Sequence, residues 1–82
     1  MHTIFLDGSR YESPRALHAA IKELLSLPDH YGHNADALWD CLSERHDKLR
    51  VVVLSMGQGD VARAMKTCLS VFEDAGAEIQ GI

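Results

Sequence analysis

The run Leu49–Ser55, LRVVVLS, limits the architecture of this chain more than any other segment. Its β-branched residues show little alternation of apolar and polar. That describes a strand covered on both faces, as in a parallel sheet. Parallel strands cannot be joined by a hairpin; each pair needs a longer crossover, usually a helix. The question for the rest of the sequence is whether it supplies helices and further strands on either side of this run.

It does. Thr3–Leu6 is short, apolar and β-prone, and Asp7-Gly8 closes it with a turn signal. Ser13-Pro14 opens a helix, with Ser13 as N-cap and Pro14 at the first helical position, where a missing N–H costs nothing. Leu17, Ile21, Leu24 and Leu25 form its apolar face, and Pro28 is expected to end it. Asp29–His33 reads as a loop in which Gly32 can adopt a positive φ or admit a close neighbour. Asn34 is the natural N-cap of a second helix, Ala35–Glu44. After the glycine-rich loop Met56–Gly59, Asp60 is expected to cap a third helix. Val61, Ala64, Met65, Cys68, Leu69 and Phe72 repeat along it at helical spacing. Gly76 stands where a left-handed helix end belongs, and Ala77–Ile82 reads as a short last strand. The expected fold is α/β: one domain over residues 1–82, a three-stranded parallel sheet packed with three to four helices, and Leu49–Ser55 in the middle.

Twelve acidic and eight basic residues give a net charge of -4, which argues against direct binding of a nucleic acid backbone. It fits a cytoplasmic protein, or one that meets a basic partner. The first residues lack the basic and apolar regions of a signal peptide, and no apolar run approaches the ~18 residues of a membrane span. Cys41 and Cys68 are too few for a disulfide framework. Both fall in helical apolar patterns and read as reduced, buried residues, with a disulfide between them left open because sequence gives no distance.

The second helix carries the chemistry. At roughly 100° per residue, Ala37, Leu38, Cys41 and Leu42 point one way and Asp36, Trp39, Asp40 and Ser43 the other. Two carboxylates at i and i+4 mildly oppose helix formation. Their face is either solvated, with or without a Lys or Arg from elsewhere in the chain, or a surface for a positively charged partner. Trp39 is either a lid over the neighbouring loop or an aromatic anchor. His30, His33, Asp36 and Asp40 match no standard zinc spacing, Cys41 faces the core rather than a substrate, and MGQGD lacks the lysine of a phosphate-binding loop. No metal, cofactor or catalytic residue is assigned, and the chain does not read as an enzyme.

The segment Leu27–Glu44, LPDHYGHNADALWDCLSE, strongly resembles the signature of the barstar family, intracellular inhibitors of a small secreted ribonuclease. The first strand with Asp7-Gly8, the Leu17-His18 helix, the central strand and VFEDA in the last helix extend the likeness over most of the chain. The resemblance implies a barstar-like fold and an inhibitor that plugs a nuclease active site. It implies that Asp40 sits where a substrate phosphate would bind, and that Asp36 pairs with basic residues of the nuclease. Gly32, Asn34, Ala35 and Trp39 match contact or supporting positions, Ser43 replaces a hydroxyl-bearing threonine, and Asp74 matches a more distant acid. His30 stands where the family's type member has an interface tyrosine, and Arg45 where it has an aromatic. The chain is also shorter between the middle strand and the last helix. The implied partner is a small basic secreted ribonuclease or related toxin, bound by a protein that is a monomer when free. The alternative is a module of this fold, an antitoxin or immunity protein, for a basic partner that is not a ribonuclease.

Overall fold

The computed structural model describes residues 1–81. In chain order the elements are β1 (His2–Asp7), a short 3-10 turn (Gly8–Arg10), α1 (Pro14–Leu25), α2 (Ala35–Ser43), β2 (Leu49–Ser55), α3 (Gly59–Asp74) and β3 (Glu78–Gly81). The sheet order is β1-β2-β3 and both pairings are parallel. The apolar run Leu49–Ser55 is therefore the central strand, as its composition predicts. The expected last strand is found as β3; its final residue, Ile82, lies outside the described residues.

Both crossovers step in the same direction across the sheet, and right-handed connections then place all three helices on one face. The core agrees with that arrangement. Ile4, Leu6 and Val51 from the sheet are fully buried with Leu17, Ile21, Leu38, Met65 and Phe72 from the helices. The opposite face of the sheet is open: Phe5 is 57% exposed and Leu54 45% exposed. Here the structure departs from the expectation of a strand covered on both faces. One layer of helices covers β2 on one side only.

Helix ends show where local chemistry outran the sequence signals. The Ser13 hydroxyl accepts from the Ala16 N–H at 3.2 Å, so the start of α1 is as expected. Its end is not set by Pro28. The chain turns at Ser26, in the left-handed region (φ 53), and the Leu27 N–H returns to the Lys22 carbonyl at 2.9 Å. Leu27 is buried by that reversal. This is a left-handed helix end with its hydrophobic contact, and Pro28 merely follows it. In α3 the N-cap is Gln58, without a side-chain bond; Asp60 instead lies in the first turn and pairs with Arg63. Gly76 has the expected positive φ, at 91°.

Candidate functional site

The loop between α1 and α2 is held from below by one side chain, Tyr31. Its ring is buried, and its hydroxyl lies 2.6 Å from Nδ1 of His18, which projects from α1 and is only 6% exposed. On the other side of that imidazole, Nε2 is 3.8 Å from the Cys68 sulfur in α3. A neutral histidine has one donor and one acceptor nitrogen, so it suits a hydroxyl on one side and a thiol on the other. Burial lowers the proton affinity of His18, with His33 adding to the effect. Burial also raises the Cys68 thiol to about 11, leaving it protonated and inert at neutral pH.

Above Tyr31, the loop is closed by its own polar groups. His33, not Gly32, takes the left-handed conformation (φ 53), and its Nδ1 donates to the Tyr31 carbonyl at 2.9 Å. What Gly32 provides is room. A Cβ there would lie 3.2 Å from Asn34 Nδ2 and 3.3 Å from Ala37 Cβ, which only a small shift of those neighbours could accommodate. Asn34 joins loop to helix: Oδ1 accepts from the Ala37 N–H at 2.8 Å and Nδ2 donates to the Gly32 carbonyl at 3.1 Å. Loop and helix are thus fixed to each other before any partner arrives.

The faces of α2 separate as the helical arithmetic requires. Leu38 and Leu42 are buried, and Ala37 and Cys41 pack at the margin of the core. Cys41 is half-buried rather than internal, and both cysteines are free thiols. Burial, then the nearby carboxylates of Glu44 and Asp40, raise its thiol pKa, so it is a poor nucleophile. Asp36, Asp40 and Ser43 are exposed, and Trp39 is 43% exposed, so its indole does not close over the core. Among the described residues neither Asp36 nor Asp40 has a cation within ion-pair distance. The face is acidic, aromatic and unneutralised.

His30, Gly32, Asp40 and Ser43 come together around a groove of about 450 Å3 between loop and helix. Glu44 and Cys41 line it too, and sequence reasoning missed them; Glu44 continues the i, i+4 row from Asp36 and Asp40. The Ser43 hydroxyl donates to the Asp40 carbonyl at 2.8 Å, which orients its oxygen on this surface. Asn34, Ala35, Asp36 and Trp39 lie on the adjoining first turns of α2. Asp74 does not join the groove: it is exposed at the end of α3. Arg45 is turned inward. Its guanidinium forks onto Asp47 at 2.9 and 2.8 Å and donates to the Leu25 carbonyl at 2.9 Å, at the end of α1. It pins the exit of α2 to the end of α1 and offers no free charge to a partner. Among the described residues no cluster of His, Cys, Asp and Glu could hold a metal ion.

His18 and Tyr31 were missing from the sequence-level site, although one signal was there. His18 stands three residues before Ile21 and seven before Leu25, on the apolar stripe of α1. A histidine on that stripe must find its partners inside the fold.

A family model described as "Barstar (barnase inhibitor)" matches residues 1–81. The chain belongs to the barstar family. Among curated relatives, the "Putative ribonuclease inhibitor YrdF" of Bacillus subtilis (strain 168) is 49% identical over 43 residues, 52% of this chain and 47% of that protein. The match thus spans about half the length of the curated relative. As a barstar-family protein the chain has its sheet and helices where the resemblance implies them. Glu44, on its groove wall, is followed by the inward-tied Arg45.

Proposed function

We propose that this protein inhibits a small basic ribonuclease by seating the outer face of α2 and the preceding loop in the enzyme's active site. The observation that carries the proposal is the Asp36–Trp39–Asp40 face, exposed and without a cation among the described residues. A ribonuclease must place Lys and Arg where phosphates bind, and carboxylates can occupy those positions through charge-assisted bonds. Asp40, on the groove wall beside Ser43, is assigned the phosphate position. Asp36 extends the acidic row toward the enzyme's rim, and Trp39 supplies the large apolar contact. His30 and Gly32 shape the far side of the groove. Asn34 and Ala35 hold the helix start, and Asp74 offers a separate acidic contact from α3.

Inhibition on this reading is occlusion. The protein performs no chemistry, and its rigidity matters because a surface already ordered loses little freedom on binding. Opposite charge on the two partners speeds encounter and makes it salt-sensitive. The family match and the name of the relative support a ribonuclease as the target. The test is inhibition of a panel of small basic ribonucleases by the purified protein at low and high salt. At least one enzyme should be inhibited stoichiometrically, with association slowed by salt. Failure across the panel, with capture of a basic partner that lacks nuclease activity, would favour a module of this fold with a different target.

A further inference from the structure

Glu44 is an acid in a place that does not serve the fold. It is the C-cap residue of α2, where the last carbonyls already give the helix end a partial negative charge. Cations belong there, yet the last turn of α2 has no basic residue. Asp40, one turn earlier, repels the Glu44 carboxylate further. Among the described residues no cation lies within ion-pair distance of Glu44. Arg45, its neighbour in the chain, is turned away onto Asp47 and the Leu25 carbonyl. The Cys41 thiol registers the same field: its pKa is raised by burial first, then by Glu44 and Asp40. Local electrostatics opposes a carboxylate here, and no described residue offsets it.

The surroundings of Glu44 indicate what would. It lines the groove of about 450 Å3 between loop and helix, together with Asp40, Ser43 and the apolar side chains of Pro28, Ala37 and Cys41. A metal ion does not fit, since among the described residues no group of His, Cys, Asp and Glu could hold one. Apolar walls with carboxylates at the rim suit the methylene stem and charged head of a lysine or arginine. We infer that Glu44 is a further partner-binding residue, which selects a nuclease carrying a lysine or arginine opposite the exit of α2. This rests on the proposed seating of α2 in the enzyme, and it adds a cation that Asp36 and Asp40 do not account for. Asp36, Asp40 and Glu44 form a row at one-turn intervals, about 12 Å long at 1.5 Å per residue. An enzyme with cations opposite only the first two would leave Glu44 desolvated and unpaired, and would bind more weakly for it.

The test uses the ribonuclease that the wild-type protein inhibits most tightly in the panel. Glu44→Gln should raise its inhibition constant at least ~10-fold, the loss expected for a hydrogen bond between charged groups. Glu44→Asp keeps the charge and should lose less. High salt should narrow the gap between wild type and Glu44→Gln. The urea midpoint of Glu44→Gln should equal or exceed that of the wild type, because the helix end and Asp40 no longer repel a charge. Glu12→Gln removes the same charge before the start of α1, at the end opposite the binding loop, and should stay within about 3-fold of wild type. A Glu44→Gln variant that inhibits like the wild type overturns the inference and leaves the proposed function standing. So does an equal loss in Glu12→Gln, or a Glu44→Gln variant less stable than the wild type. A wild-type protein that inhibits no enzyme of the panel overturns the proposed function and this inference with it.

Discussion

His18 of α1 and Tyr31 of the interhelical loop meet at 2.6 Å in the interior, so the loop proposed to bind the enzyme is anchored by a titratable group. The folded state depresses the pKa of His18 below its ordinary 6.5, chiefly through burial. The unfolded chain therefore binds the proton more tightly. Stability from the neutral cluster is complete above pH 6.5 and is lost as pH falls through the folded value. Urea midpoints should drop between pH 7.5 and 5.5 in the wild type and much less in His18→Gln. The depressed Asp7 and Asp47 carboxyls act in a lower window, below 3.8. Equal acid sensitivity of the two proteins over pH 7.5–5.5 would sink the assignment to His18.

Asp40→Ala separates binding from folding. The carboxylate is exposed and without an ion partner among the described residues, and Asp36 one turn earlier repels it. Its removal should leave stability unchanged or raise it by a few tenths of a kcal/mol. Affinity for the nuclease should fall by about 3–5 kcal/mol, because enzyme cations are left unpaired in a dry site. Inhibition constants and urea curves of the same variant report the two effects. Undiminished inhibition would remove Asp40 from the centre of the interface.

Arg45→Met should behave in the opposite way. The Leu25 carbonyl loses its donor and Asp47 its fork. A part-buried group left without a partner costs about 1–3 kcal/mol. The thermal midpoint should fall, while inhibition measured on the folded fraction stays close to wild type. A variant of normal stability and altered affinity would return Arg45 to the partner-binding surface.

Asn34→Ala should affect both properties. The side chain caps α2 and ties the Gly32 carbonyl, so its loss should cost ~1 kcal/mol of stability. It also frees the loop that carries His30 and Gly32, so association should slow as ordering is added to binding. Stopped-flow association rates check the second effect. Asn34→Asp keeps the capping oxygen and should recover most of the stability.

Much of this was legible in the sequence because it rests on local rules. The Ser13-Pro14 helix start, the Asn34 cap, the two faces of α2 and the central strand each follow from spacing or residue type within a few positions. The exceptions depend on residues far apart in the chain. Arg45 bonds the Leu25 carbonyl, 20 residues earlier in the chain, a contact that no local spacing reveals. His18 and Cys68, 50 residues apart, meet only once α1 and α3 pack. The open outer face of β2 is a property of strand order, which apolar composition does not encode. Asp74 gained its assignment through family resemblance, since no helical spacing links α2 to the end of α3.

Gly8 provides a purely steric test. A Cβ there would lie 2.5 Å from the Met56 backbone carbon and oxygen and 2.7 Å from the Gly57 nitrogen. The loop after β1 and the loop after β2 therefore meet backbone to backbone, where no flexible side chain can move aside. Gly57 reinforces the contact, having a positive φ of 75° and an equally crowded Cβ position, 2.7 Å from the Gly8 oxygen. Gly8→Ala must push these loops apart at the top of the central strand. It should cost about 1–3 kcal/mol or more, as overpacking does. Gly81→Ala, with nothing within 4 Å of its Cβ, should stay within about 0.5 kcal/mol of wild type. Urea denaturation of both variants gives the comparison. Equal stabilities would mean that the two loops can separate freely, and the close approach at Gly8 would then carry no part of the fold.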